Sequence, residues 1–137
     1  MIIARQLILK GDITMKKILI SCVVVLLLTL AACQSGKTYT YAQPISNVEK
    51  IIIVSEEMQK EVSLSLFEEL KGLTCERYWN DPCQDIGETY IKILYKDGSQ
   101  ECIGASANFY EKNGKKDFGW EYFDPSAFSD LLREYMR

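Results

Sequence analysis

The chain has 137 residues, with 16 lysines and arginines against 19 aspartates and glutamates and a formal charge of -3. Apolar residues make up 47% and charged residues 26%, the balance of a globular chain rather than a disordered one. There is no histidine, which excludes a histidine general base, a Ser-His-Asp triad and the commonest metal ligand together; the acidic balance carries no nucleic-acid footprint.

In chain order, the first feature is an apolar run from Ile18 to Leu30, broken only by Ser21, Cys22 and Thr29 and preceded by Lys16 and Lys17. A basic start, an apolar segment of about 13 residues and small residues after it are the parts of a secretory signal peptide. A membrane-spanning helix needs roughly 20 apolar residues. Met15-Lys16-Lys17 is a natural start for such a segment, and Lys10-Gly11-Asp12 implies purine-rich codons where a ribosome-binding site would lie. Residues 1–14 are therefore expected to be a mis-assigned extension and residues 15–32 the signal peptide.

The run ends in Leu30-Ala31-Ala32-Cys33, followed by Gln34, Ser35 and Gly36. These residues resemble the lipobox of bacterial lipoproteins, and the resemblance spans residues 15–36. It implies a diacylglyceryl group on the Cys33 thiol, cleavage between Ala32 and Cys33, and acylation of the new Cys33 amine by a palmitate-type chain. It places the protein outside the cytoplasm, on the cell membrane or outer membrane, held by lipid. Gln34 in place of aspartate leans toward outer-membrane sorting where the host has one. Each buried methylene is worth about 0.8 kcal/mol, so one chain binds marginally and two or three hold permanently.

Without the leader the chain keeps 12 bases against 18 acids, a charge of -6; such a body is not drawn flat onto an anionic surface. Residues 33–47 read as the lipidated cysteine and a flexible tether, polar and small with Gly36, Pro44 and Asn47, spanning on the order of 20 Å as a coil. Residues 48–137 read as a single domain, about 90 residues with one modest core.

The β-branched run within Val48–Val54 predicts a buried strand. Between Ser55 and Gly72 two patterns compete. Met58, Val62, Leu66 and Leu70 recur every four residues and favour a helix, while Val62, Leu64 and Leu66 alternate and favour a short strand first. The expectation is a helix ending near Lys71 with its start open, Ser65 and Glu68 forming a capping box and Gly72 stopping it. Thr74–Glu88 reads as a long loop. Thr89–Tyr95 and Ser99–Phe109 read as strands joined by Lys96-Asp97-Gly98. A three-residue loop sets Ile91 opposite Ile103 and gathers Ile91, Ile93, Ile103, Ala105, Ala107 and Phe109 on one face. Asn113-Gly114 makes the next turn. Phe118–Phe123 follows as a strand, with Phe118, Trp120 and Tyr122 joining that face. Asp124-Pro125 caps a last helix striped by Phe128, Leu131, Leu132 and Tyr135, expected to close over Ile91, Ile103 and Phe118. The fold class is α+β: a small antiparallel β-meander with helices on one face.

Chemistry is sparse. Cys75, Cys83 and Cys102 remain after the leader and Cys33. Outside the cytoplasm one structural disulfide is expected among them; Cys75 with Cys83 is nearest in sequence, and Cys83 with Cys102 is a rival. No zinc spacing and no partner base for a nucleophilic cysteine are present. Asp81, Asp85 and Glu88 share a loop and read as a solvated acidic stretch rather than a calcium site. The aromatics Tyr78, Trp79, Phe109, Tyr110, Phe118, Trp120, Tyr122 and Phe123 could floor a sugar or peptide site, though strand alternation assigns most to the core. Tyr78 and Trp79 are the candidate surface pair, since loops stay on the surface. No catalytic residue, cofactor or metal site is expected. The leading expectation is a non-catalytic envelope lipoprotein that binds a protein partner or serves as an accessory component; the alternative is a small-ligand or metal binder displayed on the membrane. An exposed aromatic patch near Trp79 and Trp120 favours the ligand, and a bare sheet edge or a flat apolar patch favours the protein.

Overall fold

The computed structural model describes residues 12–25 and 37–137, in two compact units that divide between Gly36 and Lys37. In the first unit residues 12–25 form helix α1, with Asp12 and Lys16 paired at 3.5 Å one turn apart. Among the described residues no helix is long and apolar enough to cross a membrane. The Leu30–Cys33 box, with the cleavage position at Ala32 and the lipid-bearing Cys33, lies outside the described residues.

The second unit is α+β, with two antiparallel sheets and two helices. Strands β2 (Val48–Val54), β3 (Gln59–Val62), β5 (Tyr90–Tyr95), β6 (Gln100–Ile103), β7 (Asn108–Lys112) and β8 (Lys115–Phe118) form a six-stranded sheet in the order β3-β2-β5-β6-β7-β8. Strands β1 (Lys37–Thr38), β4 (Thr74–Arg77) and β9 (Glu121–Phe123) form a smaller sheet in the order β1-β4-β9. Helices α2 (Ser65–Leu70) and α3 (Pro125–Met136) complete the unit. One apolar cluster joins the two sheets and both helices: Ile51 and Ile53 of β2, Ile91, Ile93 and Tyr95 of β5, Ile103 of β6, Cys75 and Phe123 of the small sheet, Leu66, Phe67 and Leu70 of α2, and Phe128 and Leu132 of α3.

The hairpin at Lys96-Asp97-Gly98 has the expected register, with Ile91 opposite Ile103 and Gly98 in the left-handed region at φ 83°. Asn113 and Gly114, both at positive φ, close the β7–β8 hairpin. At α3, the Asp124 carboxylate accepts from the Ala127 amide at 3.0 Å with Pro125 in the first turn, as the sequence predicts. Phe128 and Leu132 are buried, while Leu131 and Tyr135 pack at the margin.

Several expectations are corrected. Residues 37–47 are not a free tether. Lys37 and Thr38 pair with β4, Tyr39 is buried, the Tyr41 ring stacks on Phe67 at 3.6 Å, and Ile45–Asn47 make a 3-10 turn. The folded unit therefore begins at Lys37 rather than Val48. The competing patterns of 55–72 are both present in succession, strand β3 and then the short helix α2. No capping box forms there: the Ser63 hydroxyl accepts from the Ser65 amide, and the Ser65 hydroxyl shares a hydrogen bond with the Tyr135 phenol at 2.8 Å. Thr74–Arg77 is the central strand of the small sheet, not loop.

The two long strands each break at a glycine. Gly104 donates to the Ala107 carbonyl at 2.8 Å, closing a tight turn that splits Ser99–Phe109 into β6 and β7. The turn reverses parity, so Phe109 pairs with Cys102 and lands on the face opposite Ile103. Phe118 follows it, pairing with Phe109, and does not reach the core under α3. Gly119 splits Phe118–Phe123: its amide donates to the Asn108 carbonyl, and a Cβ there would run into the Asn108 side-chain amide, whose nitrogen donates to the Glu121 carbonyl at 2.8 Å. Asn108 thus joins the large sheet to β9.

The least expected core residue is Glu101, opposite Ile93 and 3% exposed. Its carboxylate accepts from the Tyr39 phenol at 2.7 Å, the Tyr95 phenol and the Ala42 amide at 3.1 Å. Burial pushes the Glu101 carboxyl above the usual carboxylate range, against the lowering effect of those donors. Burial, and then the Glu101 charge, push the Tyr39 and Tyr95 phenols up as well, so they remain donors. This satisfied network is what seats the segment ahead of β2.

Candidate functional site: an aromatic groove at one end of the small sheet

Strand β4 is flanked by β1 and β9, with Cys75 opposite Phe123, Glu76 opposite Tyr122 and Arg77 opposite Glu121. Alternation turns Cys75 and Phe123 into the core and leaves Glu76 and Tyr122 on the outer face. Beyond Arg77 the chain continues as Tyr78-Trp79, and the Tyr78 amide donates to the Trp120 carbonyl at 2.8 Å, extending the β4–β9 pairing by one step. The result is a groove of about 640 Å³ lined by Glu76, Arg77, Tyr78, Trp79, Trp120 and Tyr122.

The walls are held by side-chain contacts. The Tyr78 and Tyr122 rings lie 4.5 Å apart. The Tyr78 phenol donates to the Ser106 carbonyl at 2.8 Å, and the Tyr122 phenol to Glu76 at 2.7 Å. The Tyr122 hydrogen bond to Glu76 raises that phenol above its ordinary range, and burial does the same for Tyr78. The Arg77 guanidinium lies 5.8 Å from the Trp120 ring centre. Trp79 is 96% exposed at the lip. A second depression of about 370 Å³ adjoins across Glu76 and Tyr122 and runs toward Ser106 and Asp124.

The structure thus separates the aromatic residues that sequence reading grouped. Tyr78, Trp79, Trp120 and Tyr122 converge. Phe109 and Phe118 pair on the far face of the large sheet, Phe123 enters the core, and Tyr110 lies against Tyr95. Trp120 and Tyr122 alternate as a core strand does, but the break at Gly119 carries them to the outer face. Glu76 and Arg77 carry no sequence signal, because the strand that positions them is four residues long and mostly polar.

Cys75, Cys83 and Cys102 are free thiols in this structure. Cys75 faces the core of the small sheet, where its thiol donates to the Lys37 carbonyl. Cys102 points to the opposite face of the large sheet, and burial pushes its thiol up to about 11. The loop carrying Cys83 crosses beside it at Gly104, where a Cβ would run into the Ile86 carbonyl oxygen. Asp81, Asp85 and Glu88 do not converge: among the described residues no three carboxylates or thiols group around a cation position.

No family model, curated protein or solved structure matches the chain.

Proposed function

We propose that the protein is a lipid-anchored binding module of a bacterial cell envelope, non-catalytic, whose aromatic groove holds a saccharide. The convergence of Tyr78, Trp79, Trp120 and Tyr122 on one groove carries this reading. Its volume is that of a small-ligand site. Sugar rings offer flat faces of polarised C–H groups, which suit the negative faces of aromatic rings. Glu76 and Arg77 supply an acceptor and a donor for ring hydroxyls at the same groove, and the adjoining depression gives room for a linear oligomer. A protein partner adding a strand is disfavoured, because the exposed edges β3 and β8 carry Lys60, Glu61, Lys115, Lys116 and Asp117. The Leu30–Cys33 run supports the anchor.

The groove is tested by titrating the detergent-solubilised, lipidated protein with neutral and amino-sugar tetrasaccharides while following tryptophan emission. Binding with a spectral change, lost in Trp120→Ala, is the expected result. Absence of binding to every sugar, or binding undiminished in that variant, overturns it. The anchor is tested separately: Cys33→Ser should abolish incorporation of labelled palmitate.

A further inference from the structure

The geometry points to the groove end of the domain as the face that seats on the bilayer, with Trp79 entering the membrane–water interface. This rests on the proposed lipidation of Cys33 and goes beyond ligand binding. Strand β1 runs antiparallel to β4, with Thr38 opposite Thr74 and Lys37 opposite Cys75. Tracing the chain backwards from Thr38 to Lys37 therefore moves in the direction in which β4 runs forward, toward Arg77, Tyr78 and Trp79. Strand β9 brings Trp120 to the same end, because Glu121 lies opposite Arg77. The chain that carries the lipid and both tryptophans thus meet at one end of the small sheet.

Chain length makes the coincidence matter. Only residues 34–36 stand between Cys33 and Lys37, so the chain can separate their Cα atoms by at most about 14 Å. Trp79 stands two residues past the end of β4, on that same side of the small sheet. A short connection from Lys37 keeps a lipid on Cys33 close to the end of the small sheet at which the chain enters it.

Tryptophan is the side chain best suited to that level, with a large apolar ring and one N–H to keep wet. Trp79 is 96% exposed at the lip of the groove. On the same sheet Lys37 pairs with Glu121 at 3.2 Å, and Arg77 lies over the Trp120 ring. A groove placed there opens along the membrane surface and takes saccharides displayed close to the bilayer.

Because Trp79 and Trp120 are the two tryptophans of the chain, single-tryptophan variants report on each. The lipidated full chain is reconstituted into phosphatidylcholine vesicles with or without bromine on the acyl chains. Zwitterionic lipid is the probe because Asp81 follows Trp79 closely and an anionic surface would repel it. In Trp120→Phe, the remaining Trp79 should lose most of its emission in the brominated vesicles; in Trp79→Phe, Trp120 should lose much less. Equal Trp79 emission in the two vesicles overturns the proposal, as does a protein whose Cys33 carries no lipid. If Trp120→Phe fails to fold, the difference between wild type and Trp79→Phe reads Trp79 directly. Saccharide binding is measured in detergent without a bilayer, so either result can fail while the other stands.

Discussion

The Tyr39 phenol donates to the buried carboxylate of Glu101 at 2.7 Å across 62 residues of sequence. That bond ties the segment ahead of β2 to the centre of the large sheet, in a ring completed by Tyr95 and the Ala42 amide. Replacing Tyr39 by phenylalanine keeps the ring packing and removes one donor from a buried charge. The expected cost is about 1–3 kcal/mol, read as a lower urea midpoint with unchanged slope.

The same carboxyl sets a pH dependence. Its folded pKa is raised above the unfolded value, so the folded state holds this proton more tightly. Its contribution is fully present below the unfolded pKa and is lost as pH rises through the folded one. The stability difference between wild type and Glu101→Gln should therefore shift in favour of wild type between pH 7.5 and pH 4.5, measured by urea unfolding of both proteins. An unchanged difference would mean that Glu101 titrates alike in both states.

Thiol reactivity should follow burial. Cys83 is half-buried, whereas Cys75 and Cys102 are buried and burial raises both thiols above their ordinary range. At pH 8 an alkylating reagent is expected to modify Cys83 first, with Cys75 and Cys102 reacting only on unfolding. Peptide mass mapping over time checks the order.

Gly104→Ala should disturb that order in one direction. The added methyl has no room against the Ile86 carbonyl, so the loop across the sheet must shift. A loss of about 1–3 kcal/mol is expected from overpacking, together with faster alkylation of Cys102 on the same face.

At the C-terminal helix the two leucines should differ. Leu132 is 1% exposed, and Leu132→Ala should cost about 2–5 kcal/mol; Leu131, at the core margin, should cost less. Asp124→Ala should cost about 1 kcal/mol through the lost cap. Thermal melts of the three variants rank them.

What sequence made legible is local or strongly periodic. Val48–Val54 announces itself by β-branching, the Asp97-Gly98 and Asn113-Gly114 turns by their need for positive φ, and α3 by its cap and stripe. The strand breaks at Gly104 and Gly119 were missed because small and aromatic residues around them continue an alternation that the backbone does not follow. The small sheet was missed because β1 and β4 are two and four residues long, and their pairing joins segments with no shared pattern. Glu101 stands at an inward position of β6, and the Tyr39 and Tyr95 phenols with the Ala42 amide make it tenable there. At the groove, Tyr78 and Trp79 were visible as loop aromatics; their meeting with Trp120 and Tyr122 depended on the unrecognised strand between them.

The two-residue strand β1 also decides how the domain bears load. A pull applied at Lys37 along the axis of β1 shears its hydrogen bonds to β4 together rather than peeling them one at a time. Behind them the load meets the Tyr39 phenol on Glu101 and the Tyr41 ring on Phe67 before it reaches β2. Tension applied at Lys37 would thus be taken first by the segment Lys37–Ala42, ahead of the six-stranded sheet.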